Sequence, residues 1–324
     1  MRRGPAESCS VATIGSVVAR GVNRLAAAGI AEPRLDAELL LADQLAGDRL
    51  TLYREPGRLV PPIALRRFDR LLRRRLLGEP LQYLRGRVEF FGMEFDVRPG
   101  VLIPRPDTER LVELSIDRLR LAQSRCAGRP VRFADVGTGS GCIAVAIAAA
   151  VEMAVGEAVD CSARALTVAR RNIARHGLAG RITVRQGDLC KPLRPDGLKI
   201  DLIAANLPYI PSGIVATLDR QIREHEPRLA LDGGSDGLAV IDRLVQTAAD
   251  SLLPGGWLLL EVGIGQADRV AVSARHAGWQ VEAIERDLAG IERVVVLSKG
   301  ESANPDQLSK LGEGRPGTGH RIDV

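Results

Sequence analysis

Residues 131–141 read Val131-Arg132-Phe133-Ala134-Asp135-Val136-Gly137-Thr138-Gly139-Ser140-Gly141, and an apolar run from Cys142 to Ala150 follows. An apolar segment that stops at alternating glycines and resumes as a helix predicts strand, tight turn, helix. Glycines let the backbone turn sharply and approach a ligand, and the following helix N-terminus favours an anionic group such as a carboxylate. Outward from this stretch the alternation continues. The next predicted strand ends at Asp160, 19 residues beyond Gly141, where an acid can accept from two ribose hydroxyls. A helix through Arg170, Asn172 and His176 leads to the strand Ile182-Thr183-Val184-Arg185-Gln186. That strand ends at Gly187-Asp188-Leu189, with Asp188 able to accept from an adenine amino group. The run from Ile200 to Ala205 reads as a further buried strand and breaks at Asn206-Leu207-Pro208-Tyr209. The expected fold is α/β, with ligands bound outside the carboxyl ends of the strands.

Asn206 offers an amide carbonyl and NH2, the Leu207 backbone a second carbonyl, and Tyr209 a ring able to pack on a flat group. Two carbonyls converging on one planar NH2 can hold it and raise its electron density. The plain alternative is a strand, a turn and a loop. A dinucleotide fold shares the glycine loop and the acid at Asp160, but its G-x-G-x-x-G pattern fails here, with Cys142 at the last glycine position. The order of the whole set favours S-adenosylmethionine. The expected cofactor contacts are Asp135, Gly137, Thr138, Gly139, Ser140, Gly141, Asp160, Asp188, Leu189 and Asn206. The expected catalytic residues are Asn206, Leu207, Pro208 and Tyr209.

The 324 residues carry 45% hydrophobic and 26% charged residues and a net charge of +5, ordinary values that do not demand a nucleic-acid partner. The five cysteines include no C-x-x-C pair, and His225-Glu226 precedes a proline rather than a second histidine, so no metal or redox motif is found. No 18-residue apolar run and no signal-peptide pattern occur, and a cytoplasmic, reduced, monomeric protein is expected. Before the first strand, residues 10–77 read as helices. Ser10 caps one that ends at Gly29, Pro33 opens a second with Leu35, Leu39, Leu40 and Leu41 inward, and Pro61-Pro62 opens a third. In that third helix Leu65, Phe68, Leu71, Leu72 and Leu76 oppose Arg66, Arg67, Arg70, Arg73, Arg74 and Arg75. Val88 to Val97 reads as two short strands about a glycine turn, and Asp107 or Thr108 can cap the helix after Pro104-Arg105-Pro106. Helices are expected over 237–253 and 266–277, and a strand over 257–261.

The segment from Glu89 to Val112, with Phe-Phe-Gly-Met-Glu-Phe and Leu-Ile-Pro-Arg-Pro-Asp-Thr-Glu, resembles the bacterial release-factor glutamine methyltransferases. So do Asp135 to Gly141, Glu226 to Leu231, Gly233 to Leu238 and Leu258 to Gly263. The resemblance spans roughly residues 10 to 298. It implies a seven-stranded, Rossmann-like class I methyltransferase sheet over 105–298, with an antiparallel edge pair at 281–285 and 293–297. It also implies a helical substrate-recognition domain over 1–80 and a β-hairpin linker over 81–104; composition marks 299–324 as a disordered tail. The implied reaction moves a methyl group from S-adenosylmethionine to the glutamine side-chain amide of the Gly-Gly-Gln motif in peptide-chain release factors. Leu207 departs from the family's Asn-Pro-Pro-Tyr and His225 from its usual aromatic residue. Asn-Leu-Pro-Tyr also resembles the motif of ribosomal-RNA adenine dimethyltransferases. Three readings stay open: a release-factor enzyme or its ribosomal-protein sister, an RNA adenine methyltransferase, and a non-catalytic S-adenosylmethionine-binding relative.

Overall fold

The computed structural model describes residues 12–126, 128–193 and 199–300. The expected Ser10 cap and residues 301–324 of the expected tail lie outside them.

Helices come first: α1 (Ile14–Ala27), α2 (Pro33–Gln44), α3 (Arg49–Arg54), α4 (Pro62–Leu76) and α5 (Leu81–Arg85). Thr13 supplies the side-chain cap of α1, accepting from the Ser16 N–H. Leu25, Leu40, Leu41, Phe68 and Leu72 form one core, with Leu35, Leu39, Leu65, Leu71 and Leu76 only half-buried. Fully burying a side chain of this size contributes about 1.5–3 kcal/mol. Two charged positions depart from the expected amphipathic division. Arg75 turns inward and donates to buried Asp36 at 2.6 Å. Buried Glu38 gathers Arg49, Arg34 and Tyr53, which fastens α3 to α2.

The hairpin pairs β1 (Arg87–Phe90) with β2 (Met93–Asp96) about Phe91-Gly92. Then come α6 (Glu109–Arg125), β3 (Val131–Val136), α7 (Cys142–Ala150), β4 (Ala154–Asp160), α8 (Ala163–Arg175), β5 (Ile182–Gln186) and β6 (Ile200–Ala205). Short helices α9 (Ser212–Val215) and α10 (Arg220–His225) precede α11 (Ala239–Ala248), β7 (Leu252–Glu261), α12 (Ala267–His276), β8 (Trp279–Arg286) and β9 (Glu292–Lys299). The helix expected over 237–253 is shorter, because the backbone from Leu252 already belongs to β7, which pairs Ile200 with Leu252.

The sheet has seven strands in the order β5-β4-β3-β6-β7-β9-β8, parallel except for β9 and β8. Alternate residues of β6 enter opposite cores. Leu202 and Ala204 pack with α6 and α7, and Ile203 and Ala205 with α11 and α12. Burial on both faces explains why this strand reads as a continuous apolar run. The strand order reverses between β3 and β6, and the pairing of Val136 with Ala205 sets the glycine loop beside Asn206 at that reversal. A crevice outside the strand ends at such a point is where α/β sheets bind ligands.

Candidate active site

A cavity of about 270 Å³ opens at this crevice. Gly137 and Gly139 form its floor, Asp160 and Asp188 one side, and Asn206, Leu207 and Pro208 the other. Gly137 has φ +79°, and a Cβ there would stand 2.9 Å from Leu207 Cδ2, so only glycine fits. Leu207 thus contributes more than a carbonyl: its side chain is buried and packs on the loop.

Three acids at or just beyond strand ends differ in environment. Asp160 Oδ2 accepts from the Gly139 N–H at 2.9 Å and Oδ1 from the Ser162 N–H at 2.8 Å. Burial raises its pKa, and these two amides oppose the rise. The Cys161 thiol and amide also oppose the rise, and Asp160 lines the cavity. Asp188 bonds Lys191 and Arg243, and its pKa is lowered by the Lys191 bond first. Leu189 follows in the left-handed region and also lines the cavity. Asp135 behaves otherwise. It is fully buried, does not line the cavity, and accepts from the Thr138 hydroxyl at 2.6 Å and the Ala144 N–H at 3.1 Å. Burial pushes it up to about 7. Asp135, Thr138, Ser140 and Gly141 do not line the cavity: the Thr138 hydroxyl is spent on Asp135, the Ser140 carbonyl accepts from Asn172 and Gly141 packs against Ala169, while both Asp135 bonds fall on Oδ2 and leave its buried Oδ1 without a partner.

The 206–209 segment is held from three directions. The Asn206 amide nitrogen donates to the Thr108 hydroxyl at 3.0 Å. Thr108 consequently makes no cap bond to α6, contrary to the expectation for Asp107 or Thr108. The Tyr209 carbonyl accepts from Gln266 at 2.9 Å, and a Cβ on Gly237 would sit 2.3 Å from that same oxygen. Ile210 and the 231–233 backbone exchange hydrogen bonds. The motifs near 233–238 and 258–263 therefore cradle this turn. Tyr209 is half-buried and does not line the cavity; burial pushes its hydroxyl up to about 12, helped by Glu261.

The run from Arg105 to Glu109 has a job at each polar position. Arg105 pairs with buried Glu226, which also accepts from the Ile103 N–H. Asp107 pairs with Arg293 at 3.0 Å. Thr108 holds Asn206, and Glu109 accepts from the hairpin-turn N–H of Phe91 at 2.8 Å. This run ties hairpin, cavity rim and sheet together. Sequence reasoning missed Leu229, Ala230, Val240 and Arg243 as lining residues. Leu229 and Ala230 sit in a quoted motif, whereas nothing near Arg243 marks it. Among the described residues no cluster of metal-ligating side chains occurs and no helix is long and apolar enough to cross a membrane.

A switch-point cavity floored by glycines and edged by strand-end acids and a rigid Asn-x-Pro-Tyr turn defines the class as a Rossmann-like methyltransferase. Residues 121–234 match the family described as "Methyltransferase small domain", and residues 16–86 match "PrmC N-terminal domain". The chain belongs to the release factor glutamine methyltransferase family. It is 43% identical to the Release factor glutamine methyltransferase of Moorella thermoacetica over 89% of this chain and 99% of that protein. It is 40% identical to that of Nitratidesulfovibrio vulgaris over 89% and 96%. The solved structure of protein-(glutamine-N5) methyltransferase (release factor-specific) from Alicyclobacillus acidocaldarius is 32% identical, covering 64% of this chain and 99% of that one, with a TM-score of 0.37.

Proposed function

We propose that this chain moves a methyl group from S-adenosylmethionine to the side-chain amide nitrogen of the glutamine in the Gly-Gly-Gln motif of peptide-chain release factors, in the cytoplasm. One observation carries the reading. The Asn206 NH2 is committed to Thr108, so its Oδ1 is left for an incoming donor beside the cavity.

The cavity suits the methyl donor. Gly137 and Gly139 let the backbone come close to an amino-acid tail, the Asp160 carboxylate on the cavity wall accepts from ribose hydroxyls, and Asp188 with Leu189 bounds the adenine end. When bound, S-adenosylmethionine supplies a methyl carbon already activated by its sulfonium. The protein's task is the poor nucleophile, an amide nitrogen whose lone pair is delocalised. Asn206 Oδ1 and the Leu207 carbonyl accept from the substrate NH2 and fix its direction. Transfer would break the methyl carbon–sulfur bond and leave S-adenosylhomocysteine as a neutral thioether, with the substrate nitrogen positive until it sheds a proton to solvent. Preorganised acceptors are worth more at that stage than in the ground state. Orientation supplies most of the remainder.

We further propose that residues 1–80 recognise the release factor, with 81–104 as linker and 105–298 as the transferase unit. Arg66, Arg67, Arg70 and Arg73 form an exposed basic face on α4 suited to an acidic protein surface. The experiment is incubation with labelled S-adenosylmethionine and either release factor or ribosomal RNA. Label on the glutamine supports the reading; label on RNA alone sinks it.

A further inference from the structure

We infer that Glu261 is a positioning residue which, through Thr108, fixes the direction of the Asn206 amide. The inference rests on the reading of Asn206 as the acceptor for the substrate NH2.

Glu261 ends β7. Leu260 pairs with Ala205, so Glu261 stands alongside Asn206 at the sheet edge. It is 1% exposed, its Oε2 has no hydrogen-bond partner, and it does not line the cavity. Ionising a carboxyl buried in this way is costly. The Thr108 hydroxyl and the Asn206 amide both lie against its carboxylate.

The chemistry of the three groups sets a polarity. A carboxylate only accepts, so the Thr108 hydroxyl turns its hydrogen to Glu261 and offers a lone pair to Asn206. The relay then runs Asn206 N–H to Thr108 oxygen at 3.0 Å, and Thr108 O–H to Glu261. Only one rotation of the Asn206 amide satisfies it, with NH2 inward and Oδ1 outward. An amide's rotation is fixed by its network in this way. A neutral carboxyl or an amide at position 261 can also donate. The relay can then run backwards, placing the Asn206 NH2 against the substrate NH2, donor to donor.

The groups facing Glu261 are Asp107 and Thr108 before α6, Arg293 on β9, and Asn206 and Tyr209 after β6. Burial pushes Glu261 up to about 7; Thr108 and Arg293 oppose the rise, and Asp107 adds to it. Its protonation therefore falls near neutrality, and lowering the pH favours the reversed relay.

The test measures steady-state methylation of release factor by the full chain. Glu261→Gln is expected to lower kcat by about 10- to 100-fold, the scale of a slight misplacement at the reacting atom. Its KM for S-adenosylmethionine should match that of the wild type. The wild-type rate should fall as pH drops through about 7, and that limb should vanish in Glu261→Gln. Thr108→Val, which removes the bridge but keeps the shape, should show the same loss and decides the matter if Glu261→Gln does not fold. In an Asn206→Ala background Glu261→Gln should cost nothing further, since coupled residues are not additive. Wild-type kcat and pH profile in folded Glu261→Gln and Thr108→Val, or an undiminished cost in the Asn206→Ala background, overturns the inference. If Asn206→Ala itself turns over normally, the acceptor reading fails instead.

Discussion

Asp160→Ala removes a carboxylate that does two things at once. Its oxygens hold the Gly139 and Ser162 amides at 2.9 and 2.8 Å, and it lines the cavity where we place the ribose. Hydrogen bonds to charged groups are worth about 1.5–3 kcal/mol. Losing that much of the donor's binding energy weakens Kd by about 10- to 150-fold. Asp160→Asn should not rescue it. An asparagine keeps one acceptor oxygen, while its NH2 would face either the Gly139 or the Ser162 N–H, donor to donor. Both variants should therefore weaken binding, with Asn closer to Ala than to wild type. Calorimetry with S-adenosylmethionine on protein of unchanged circular dichroism gives the answer. An unaltered Kd in folded Asp160→Ala would refute the role given to this acid.

Three further outcomes are expected. Leu207→Pro keeps the carbonyl but loses the buried side chain resting on Gly137, so melting should drop by the equivalent of about 1–3 kcal/mol while methylation stays within about threefold of wild type or rises; a collapse of turnover would show that Leu207 itself shapes the site. Arg66→Glu with Arg70→Glu and Arg73→Glu should raise KM for release factor about tenfold, with S-adenosylmethionine affinity untouched; an unchanged KM removes α4 from recognition. Burial pushes Asp135 up to about 7, so the folded chain keeps a proton that the unfolded chain loses above about 4. That contribution is present below about pH 4 and is lost as pH rises through about 7. Melting curves of Asp135→Asn should therefore fall less over this window than those of the wild type, and parallel curves would argue against a shifted Asp135.

Much of this was legible because period and punctuation coincide. Val131 to Gly141 fixes strand, turn and helix by its apolar run and glycines, and Ile200 to Ala205 is apolar throughout because both faces are covered. The strand-end acids Asp160 and Asp188 were legible as cavity residues by position alone. Asp135 stands at a strand end as they do but does not line the cavity: a strand-end acid looks alike in sequence whether it borders a cavity or the following helix. Glu261 carried the same signal, an acid ending Leu258-Leu259-Leu260, but read only as part of a family likeness. Thr108 looked like a helix cap, because local sequence cannot show that Asn206, 98 residues on, competes for its hydroxyl. Asp36, Glu38 and Arg75 defeated the amphipathic reading, since each buried charge is satisfied by a partner from elsewhere in the helical region. Arg243 reaches the cavity from α11, just past the 233–238 motif but outside it.

The most direct measurement is mass spectrometry of peptides from a release factor incubated with S-adenosylmethionine and either the wild-type chain or Asn206→Ala. The account predicts one methyl group on the Gly-Gly-Gln glutamine with the wild type. It predicts a rate about 10²–10³ lower with Asn206→Ala, the usual loss when one preorganised polar contact is removed. Donor affinity should stay close to wild type. A glutamine left unmethylated by the wild type, or methylated at full rate by Asn206→Ala, would contradict it.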